Sequence, residues 1–224
     1  MTKLLIATRN RHKVGEIRAI LGDRFEYLTL DDFPAAPKVV EDADTFAGNA
    51  TKKAVELARW LSISSLVTRH SSLFVLADDS GLEVDALGGR PGVYSARFAA
   101  GDSAGSGNTP DADNNAKLLR LLENVPVEKR TARFRCVIAL VPVPLGQVEG
   151  ASPVCIAEKC TAQIYDGACE GKIIFEPCGQ NGFGYDPLFV PEGFTRSFAE
   201  LGDDVKNKLS HRARALEKLR QIVA

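Results

Sequence analysis

An α/β fold built on a mixed sheet is what this sequence predicts, and three observations predict it. Helical periodicities and short strand patterns are intermixed along the chain rather than segregated. Leu73-Phe74-Val75-Leu76-Ala77 is a continuous apolar run, the mark of a strand buried on both faces. Arg130–Val141 instead alternates, with Ala132, Phe134, Cys136, Ile138 and Leu140 on one face, and its second face turns apolar after Arg135.

Taken in order, Lys3–Ala7 reads as a short strand, followed by Thr8-Arg9-Asn10 and a helix with Val14, Ile17 and Leu21 on one face. Gly22 and Asp23 stop that helix, and Phe25–Leu30 can form a second strand. Pro34 and Pro37 mark a loop into Glu41-Asp42-Ala43-Asp44. Thr45 is placed to cap a long helix to about Leu61, with Phe46, Ala50, Ala54, Leu57 and Leu61 as its apolar stripe. Ser62–Ser72 reads as a polar surface connection. The strand Leu73–Ala77 is expected to end in the turn Asp78-Asp79-Ser80-Gly81. Gly88-Gly89-Arg90-Pro91-Gly92 is a tight turn, and Ala100–Asp111 is a Gly/Ser/Asn-rich loop. A helix is expected over about Asp113–Glu123, then strands over Val154–Ile164 and Gly171–Phe175, antiparallel to Arg130–Val141. Gly182–Pro187 is an irregular loop, Phe198–Lys208 a weak helix, and Ser210 caps a last helix that turns Ala215, Leu219 and Ile222 inward. No repeat or low-complexity tract interrupts the 224 residues, and one domain over 1–224 accounts for them.

Composition narrows the functional classes. Hydrophobic residues make up 45% and charged residues 25%, the balance of an ordinary globular protein with a sizeable core. A net charge of −1 lacks the basic footprint of a nucleic-acid binder, so a polyanionic ligand must be held by local groups and bound metal. Met1–Ala7 is too short and too quickly polar for a signal peptide, and no apolar run approaches the ~20 residues of a membrane helix, so the expected compartment is the cytosol. The cysteines Cys136, Cys155, Cys160, Cys169 and Cys178 form no C-x-x-C pair and have only His12, His70 and His211 to join them. Reduced, mostly buried thiols are the simpler reading than zinc.

Five segments can carry chemistry. Thr8-Arg9-Asn10-Arg11-His12-Lys13 joins a strand to a helix, where free N–H groups, neutral donors from Thr8 and Asn10 and the Lys13 charge could cradle phosphate. Taken alone, the same residues read more simply as an ordinary capped helix with a solvated Lys13. Asp78 and Asp79 at the end of a buried strand are costly unless a metal, a basic partner or a cleft receives them, although a simple Asx turn is the alternative. One acid could ligate Mg²⁺ while the other orients or deprotonates water. Glu41, Asp42 and Asp44 precede the helix carrying Asn49 and Lys53, which are i, i+4 neighbours displaced by one position from the apolar stripe and able to face a cleft. In Gly182-Phe183-Gly184-Tyr185-Asp186-Pro187, glycines bracket aromatics that could stack on a purine, with Asp186 as an acceptor, or could simply pack inward. His211 and Arg212 begin a helix after Ser210, with Lys206 one turn upstream; cations there oppose the helix dipole, which makes an anionic or hydrogen-bonding partner plausible.

Together these segments resemble the inosine/xanthosine triphosphate pyrophosphatase family, from Leu5 to about Leu219. The resemblance rests on Ala7-Thr8-x-Asn10-x-x-Lys13; Glu41 before Thr45-Phe46-x-x-Asn49-Ala50-x-x-Lys53-Ala54; Ala77-Asp78-Asp79-Ser80-Gly81-Leu82-x-Val84; Gly88-Gly89-x-Pro91-Gly92-Val93-Tyr94-Ser95-Ala96-Arg97; Gly182–Pro187; and Ser210-His211-Arg212, all in the family's order. It implies an elongated two-lobed α/β fold with a long central mixed sheet, helices on its flanks and a cleft between the lobes. It implies a homodimer that hydrolyses ITP, dITP or XTP to the monophosphate and pyrophosphate with Mg²⁺. By the same resemblance Thr8, Asn10 and Lys13 hold the triphosphate and Lys53 offsets its charge. Asp79 is the proton acceptor and a metal ligand, supported by Glu41 and Asp78 directly or through water. Ser80 contacts substrate, and Phe183, Gly184, Tyr185, Asp186, Lys206, His211 and Arg212 form the base pocket. Arg9 stands where the family often has glycine and could add a phosphate contact; Asn181 is a similar departure, and the loops 62–72 and 100–111 look long. The rivals are a Maf-like pyrophosphatase of modified pyrimidine nucleotides, a non-catalytic nucleotide sensor, and a metal-dependent phosphomonoesterase.

Overall fold

The structure is a computed structural model that describes residues 2–64, 72–100, 107–144 and 160–221. Along it run β1 (Lys3–Ile6), α1 (Arg11–Leu21), β2 (Glu26–Thr29), α2 (Phe46–Ile63), β3 (Leu73–Val84), α3 (Asp111–Leu121), β4 (Thr131–Pro142), β5 (Gln163–Ile173), β6 (Phe189–Pro191), α4 (Phe198–Leu201), α5 (Asp203–Leu209) and α6 (His211–Arg220). The strands form one sheet in the order β2-β1-β3-β4-β5-β6. β1 is parallel to both β2 and β3, whereas β6 is antiparallel to β5, so the sheet is mixed and the class is α/β as expected. Among the described residues no helix is long and apolar enough to cross a membrane.

The chain divides into two compact units. The first comprises Met1–Asp79, Val137–Tyr165 and Leu216–Ala224. Leu4, Leu5 and Ile6 are fully buried there, as are Ile17 of α1 and Ala50 and Ala54 of α2. Each large apolar side chain removed from water in this way contributes about 1.5–3 kcal/mol. Thr45 caps α2 as expected, its hydroxyl accepting from Gly48 N at 3.0 Å. The second unit comprises Ser80–Cys136 and Asp166–Ala215. Its core joins Leu82, Val84, Leu118, Phe134, Phe189 and Phe198, with the Phe134 and Phe189 ring centroids 4.7 Å apart.

The structure corrects several expectations. Asp78-Asp79-Ser80-Gly81 is not a turn: β3 runs through it to Val84. The physical reason lies just beyond, where Leu82 and Val84 are fully buried and alternate with the half-buried Glu83, so the strand period continues. Gly81 serves close approach rather than reversal, because a Cβ there would meet Gly92 O at 2.5 Å and collide with Ser95 Oγ. Of the strands expected over Val154–Ile164 and Gly171–Phe175, residues 154–159 lie outside the described residues, 160–162 are not in a strand, and 163–164 and 171–173 belong to one strand, β5. Gly171, expected to open a second strand, sits inside it. The expected helix 198–208 is two helices, broken at Gly202 with φ 77°. β6 carries no sequence signal of its own length. α2 continues to Ile63, and α3 begins at Asp111 rather than Asp113. The connections 65–71 and 101–106, and Ile222, lie outside the described residues.

Candidate active site

In the first unit, β3 carries Asp78 and Asp79 into the interior, at 1% and 6% exposure. Successive strand residues face opposite sides, so the two carboxylates do not share one coordination point. Asp78 Oδ1 is 2.5 Å from Lys13 Nζ, and the Asp78 carboxylate is wholly excluded from water. Its backbone carbonyl accepts from Lys53 Nζ at 3.1 Å. Lys53 also pairs with Glu41 Oε1 at 2.8 Å. Asp79 differs: its Oδ2 is buried with no hydrogen-bond partner among the described residues. Burial raises its pKa, Lys13 and Lys53 oppose that, Glu41 adds to it, and a hydrogen bond with Asn49 opposes it again.

A buried anionic oxygen without a donor is costly unless something completes it. Mg²⁺ takes one or two carboxylates together with phosphate oxygens and water, and Asp79 with Glu41 supplies that donor chemistry. Among the described residues no group of three or more His, Cys, Asp or Glu side chains converges as a metal cluster. Asp79 and Glu41 nonetheless fit the carboxylate donor chemistry of such an ion.

The phosphate cradle expected at Thr8–Lys13 is built differently from an open helix terminus. Asn10 caps α1, its Oδ1 accepting from His12 N at 2.9 Å and Lys13 N at 3.2 Å. The Thr8 hydroxyl accepts from Asn10 N at 3.1 Å. The N–H groups of His12 and Lys13 are thus spent on the cap, which leaves the Thr8 hydroxyl, the Asn10 amide nitrogen and the lysine side chains as the donors able to meet an anion. Thr8 is half-buried and Arg9 is exposed. Asn49, absent from the residues chosen by sequence reasoning as ligands, is 1% exposed and ties Ala43 N to its Oδ1 at 2.9 Å. Its signal was the i, i+4 spacing to Lys53 off the apolar stripe.

In the second unit, the loop 182–187 and the helices α5 and α6 come together. Lys206 Nζ is 2.5 Å from Asp186 Oδ2, both side chains at most 3% exposed. It also lies 4.4 Å from the Phe183 ring centroid, with the Arg212 guanidinium 5.9 Å from the same ring. Arg212 is fully buried and donates to Ser80 Oγ at 2.9 Å. His211 stacks on Phe134, centroids 4.8 Å apart. Asp186 Oδ2 accepts from Phe183 N at 2.8 Å, and any side chain at Gly182, whose φ is 77°, would collide with that carboxylate. Phe183 is half-buried, whereas Tyr185 is 3% exposed, its hydroxyl donating to Ser95 O at 2.9 Å and its pKa raised by burial and by Asp111. Tyr185 thus underpins the loop, and Phe183 is the ring that reaches the surface. Asp111 and Asn115, which sequence reasoning missed, bond to Gly184.

The family model described as Ham1 family matches residues 4–222. A dITP/XTP pyrophosphatase of Shouchella clausii is 44% identical over 224 residues, covering 100% of this chain and 97% of its own length. The dITP/XTP pyrophosphatase of Geobacter sulfurreducens is 46% identical, covering 98% of this chain and 96% of its own. Among solved structures, a HAM1 protein from Coxiella burnetii superposes with a TM-score of 0.77 at 34% identity, covering 100% of this chain and 98% of that one. The chain belongs to the Ham1 family.

Proposed function

We propose that this protein hydrolyses damaged purine nucleoside triphosphates (ITP, dITP and XTP) to the nucleoside monophosphate and pyrophosphate. The observation that carries this reading is Asp79, a buried carboxylate with an unpartnered oxygen among the described residues, set among Lys13, Lys53 and Glu41. The full-length similarity to proteins named dITP/XTP pyrophosphatases supports the substrate class. Thr8, Asn10, Lys13 and Lys53 hold the triphosphate, and Arg9 is placed to add an outer contact. Asp79 accepts a proton from the water whose oxygen attacks the α-phosphorus. The bond to the α,β-bridging oxygen breaks, and pyrophosphate leaves with its charge offset by the lysines. A raised pKa suits this role, since a base works best nearer the operating pH. Mg²⁺, held by Asp79 and Glu41, would supply charge neutralisation at the phosphates. Asp78 supports that centre indirectly, by fixing Lys13.

For the base, Phe183 offers a stacking face, worth about 1–3 kcal/mol. Lys206, His211 and Arg212 supply donors for a 6-keto oxygen, with Ser80, Gly184, Tyr185 and Asp186 setting the pocket around them. A 6-amino group would leave those donors unpaired, which disfavours adenine. A cytoplasmic homodimer, implied by the family, completes the reading. Incubation with ITP, XTP, dITP, GTP, ATP and modified pyrimidine triphosphates, with and without Mg²⁺, tests it. Monophosphate and pyrophosphate from the first three, only with Mg²⁺, is expected. Orthophosphate release, pyrimidine preference, absence of turnover, or equal rates with ATP and GTP would overturn it in favour of a rival.

A further inference from the structure

Three successive residues of the loop 182–187 are tied to three different neighbours. Phe183 N–H donates to Asp186 Oδ2, and the Tyr185 hydroxyl to Ser95 O. Between them, both backbone groups of Gly184 go to α3. Its N–H donates to Asp111 Oδ2 at 2.6 Å, and its carbonyl accepts from Asn115 Nδ2 at 3.0 Å. Asp111 and Asn115 are one helical turn apart, so they present a matched acceptor and donor from one side of the helix. Gly184 has φ 63° and no side chain to pack, so its placement depends on these two bonds.

Asn115 is 8% exposed, and its Oδ1 has no hydrogen-bond partner among the described residues. A buried acceptor without a donor lowers stability, and an apolar side chain of similar size would fill the position better. The donor to Gly184 is what this amide supplies. Asp111 is exposed, so its bond to Gly184 is not imposed by burial.

We propose that Asp111 and Asn115 are positioning residues for base recognition, locking Gly184 so that the Phe183 ring is held where the purine lies. The proposal rests on the base-pocket reading given above, and neither residue touches substrate. Steady-state kinetics with ITP and thermal melting of Asn115→Leu, Asp111→Ala and Asp111→Asn test it. Asn115→Leu and Asp111→Ala are each expected to raise KM about tenfold, as loss of one such hydrogen bond does, with kcat within about threefold. Asn115→Leu should do so with Tm unchanged or higher, which a merely structural role does not allow. Asp111→Asn, whose amide oxygen can still accept from Gly184, should restore the wild-type KM. Unchanged KM in Asn115→Leu and Asp111→Ala would overturn the proposal, as would losses that track a lower Tm and fall on kcat as much as on KM. The wild type in the same assay isolates the reading beneath it. If it fails to form IMP and pyrophosphate, the base-pocket reading falls; if it succeeds while the variants are indifferent, only the clamp falls.

Discussion

The charged residues of the site are mostly removed from water, and each is balanced differently. Asp186 and Lys206 balance one another at 2.5 Å, a pairing that must offset two desolvations. Asp79 keeps one oxygen without a donor among the described residues. Burial raises its pKa, so the folded protein binds that proton more tightly than the unfolded chain does. Stability therefore falls as pH rises from the ordinary carboxylate value to the raised folded one, and the deficit persists above it. Asp79→Asn removes the deficit. In metal-free protein Tm should rise at neutral pH, by about 2–4 °C for each kcal/mol relieved at this chain length. The gain should vanish at pH values below the ordinary carboxylate range. The same variant should lose turnover by about 10²–10⁴-fold, the usual contribution of a positioned base. Calorimetry at two pH values and a pyrophosphate assay check both halves; a lower neutral-pH Tm or near-normal turnover would remove Asp79 from this role. Asp79, Lys13 and Arg212 were legible from the sequence because their chemistry is conspicuous there. Asp111 and Asn115 were not, because an amide in a helix acquires its task only from what the fold brings opposite it.

Elements were legible where one period ran uninterrupted. The stripe of α2 and the alternation of β4 are such cases, and their caps and ends fell within a few residues of expectation. Errors fell where glycine or acid stood inside a strand. Asp78 and Asp79 looked like an ending because buried charge is rarely placed mid-strand, and Gly171 looked like the start of a second strand. In the structure a Cβ at Gly167 would lie 2.6 Å from Ala215 N and collide with His211 O. The glycine lets β5 approach the backbone of α6, the helix that begins with His211 and Arg212. Gly167→Ala must therefore push α6 away. We expect a loss of about 1–3 kcal/mol, as for other overpacked sites, together with a raised KM for ITP. Gly15→Ala is the matched control: it lies on an exposed position of α1, where an added methyl would meet nothing within 4 Å. That change should add about 0.5–1 kcal/mol without altering kinetics. Urea denaturation separates the two, and a Gly167→Ala protein as stable as wild type would mean the approach is not rigid.

At the scale of the whole molecule, 28 basic and 29 acidic residues nearly cancel, so no long-range field draws in a polyanion. Affinity must come from contact, and the two compact units carry different contacts. Lys13, Glu41, Lys53 and Asp79 belong to the first, and Phe183, Lys206 and Arg212 to the second. The boundary between Asp79 and Ser80 was not readable from the sequence, since it falls inside one continuous strand. The proposed division of labour has a thermodynamic consequence. If Mg²⁺ is completed by phosphate oxygens, ion and nucleotide must strengthen one another's binding by the same factor. A non-hydrolysable α,β-imido analogue of ITP and Mg²⁺ should together raise Tm by more than the sum of their separate shifts. Titration calorimetry should give a coupling of about 1–3 kcal/mol, or roughly 5–150-fold, equal in either order of addition. Glu41→Gln should shrink that factor, because it removes a carboxylate from the ion. Phe183→Ala should weaken the analogue with and without Mg²⁺ alike and leave the factor unchanged, because a stacked base, unlike the phosphates, gives the ion no anionic oxygen. Additive Tm shifts in the wild type would mean that ion and triphosphate share no oxygen, and a coupling that disappears in Phe183→Ala would place the ion at the base rather than at the phosphates.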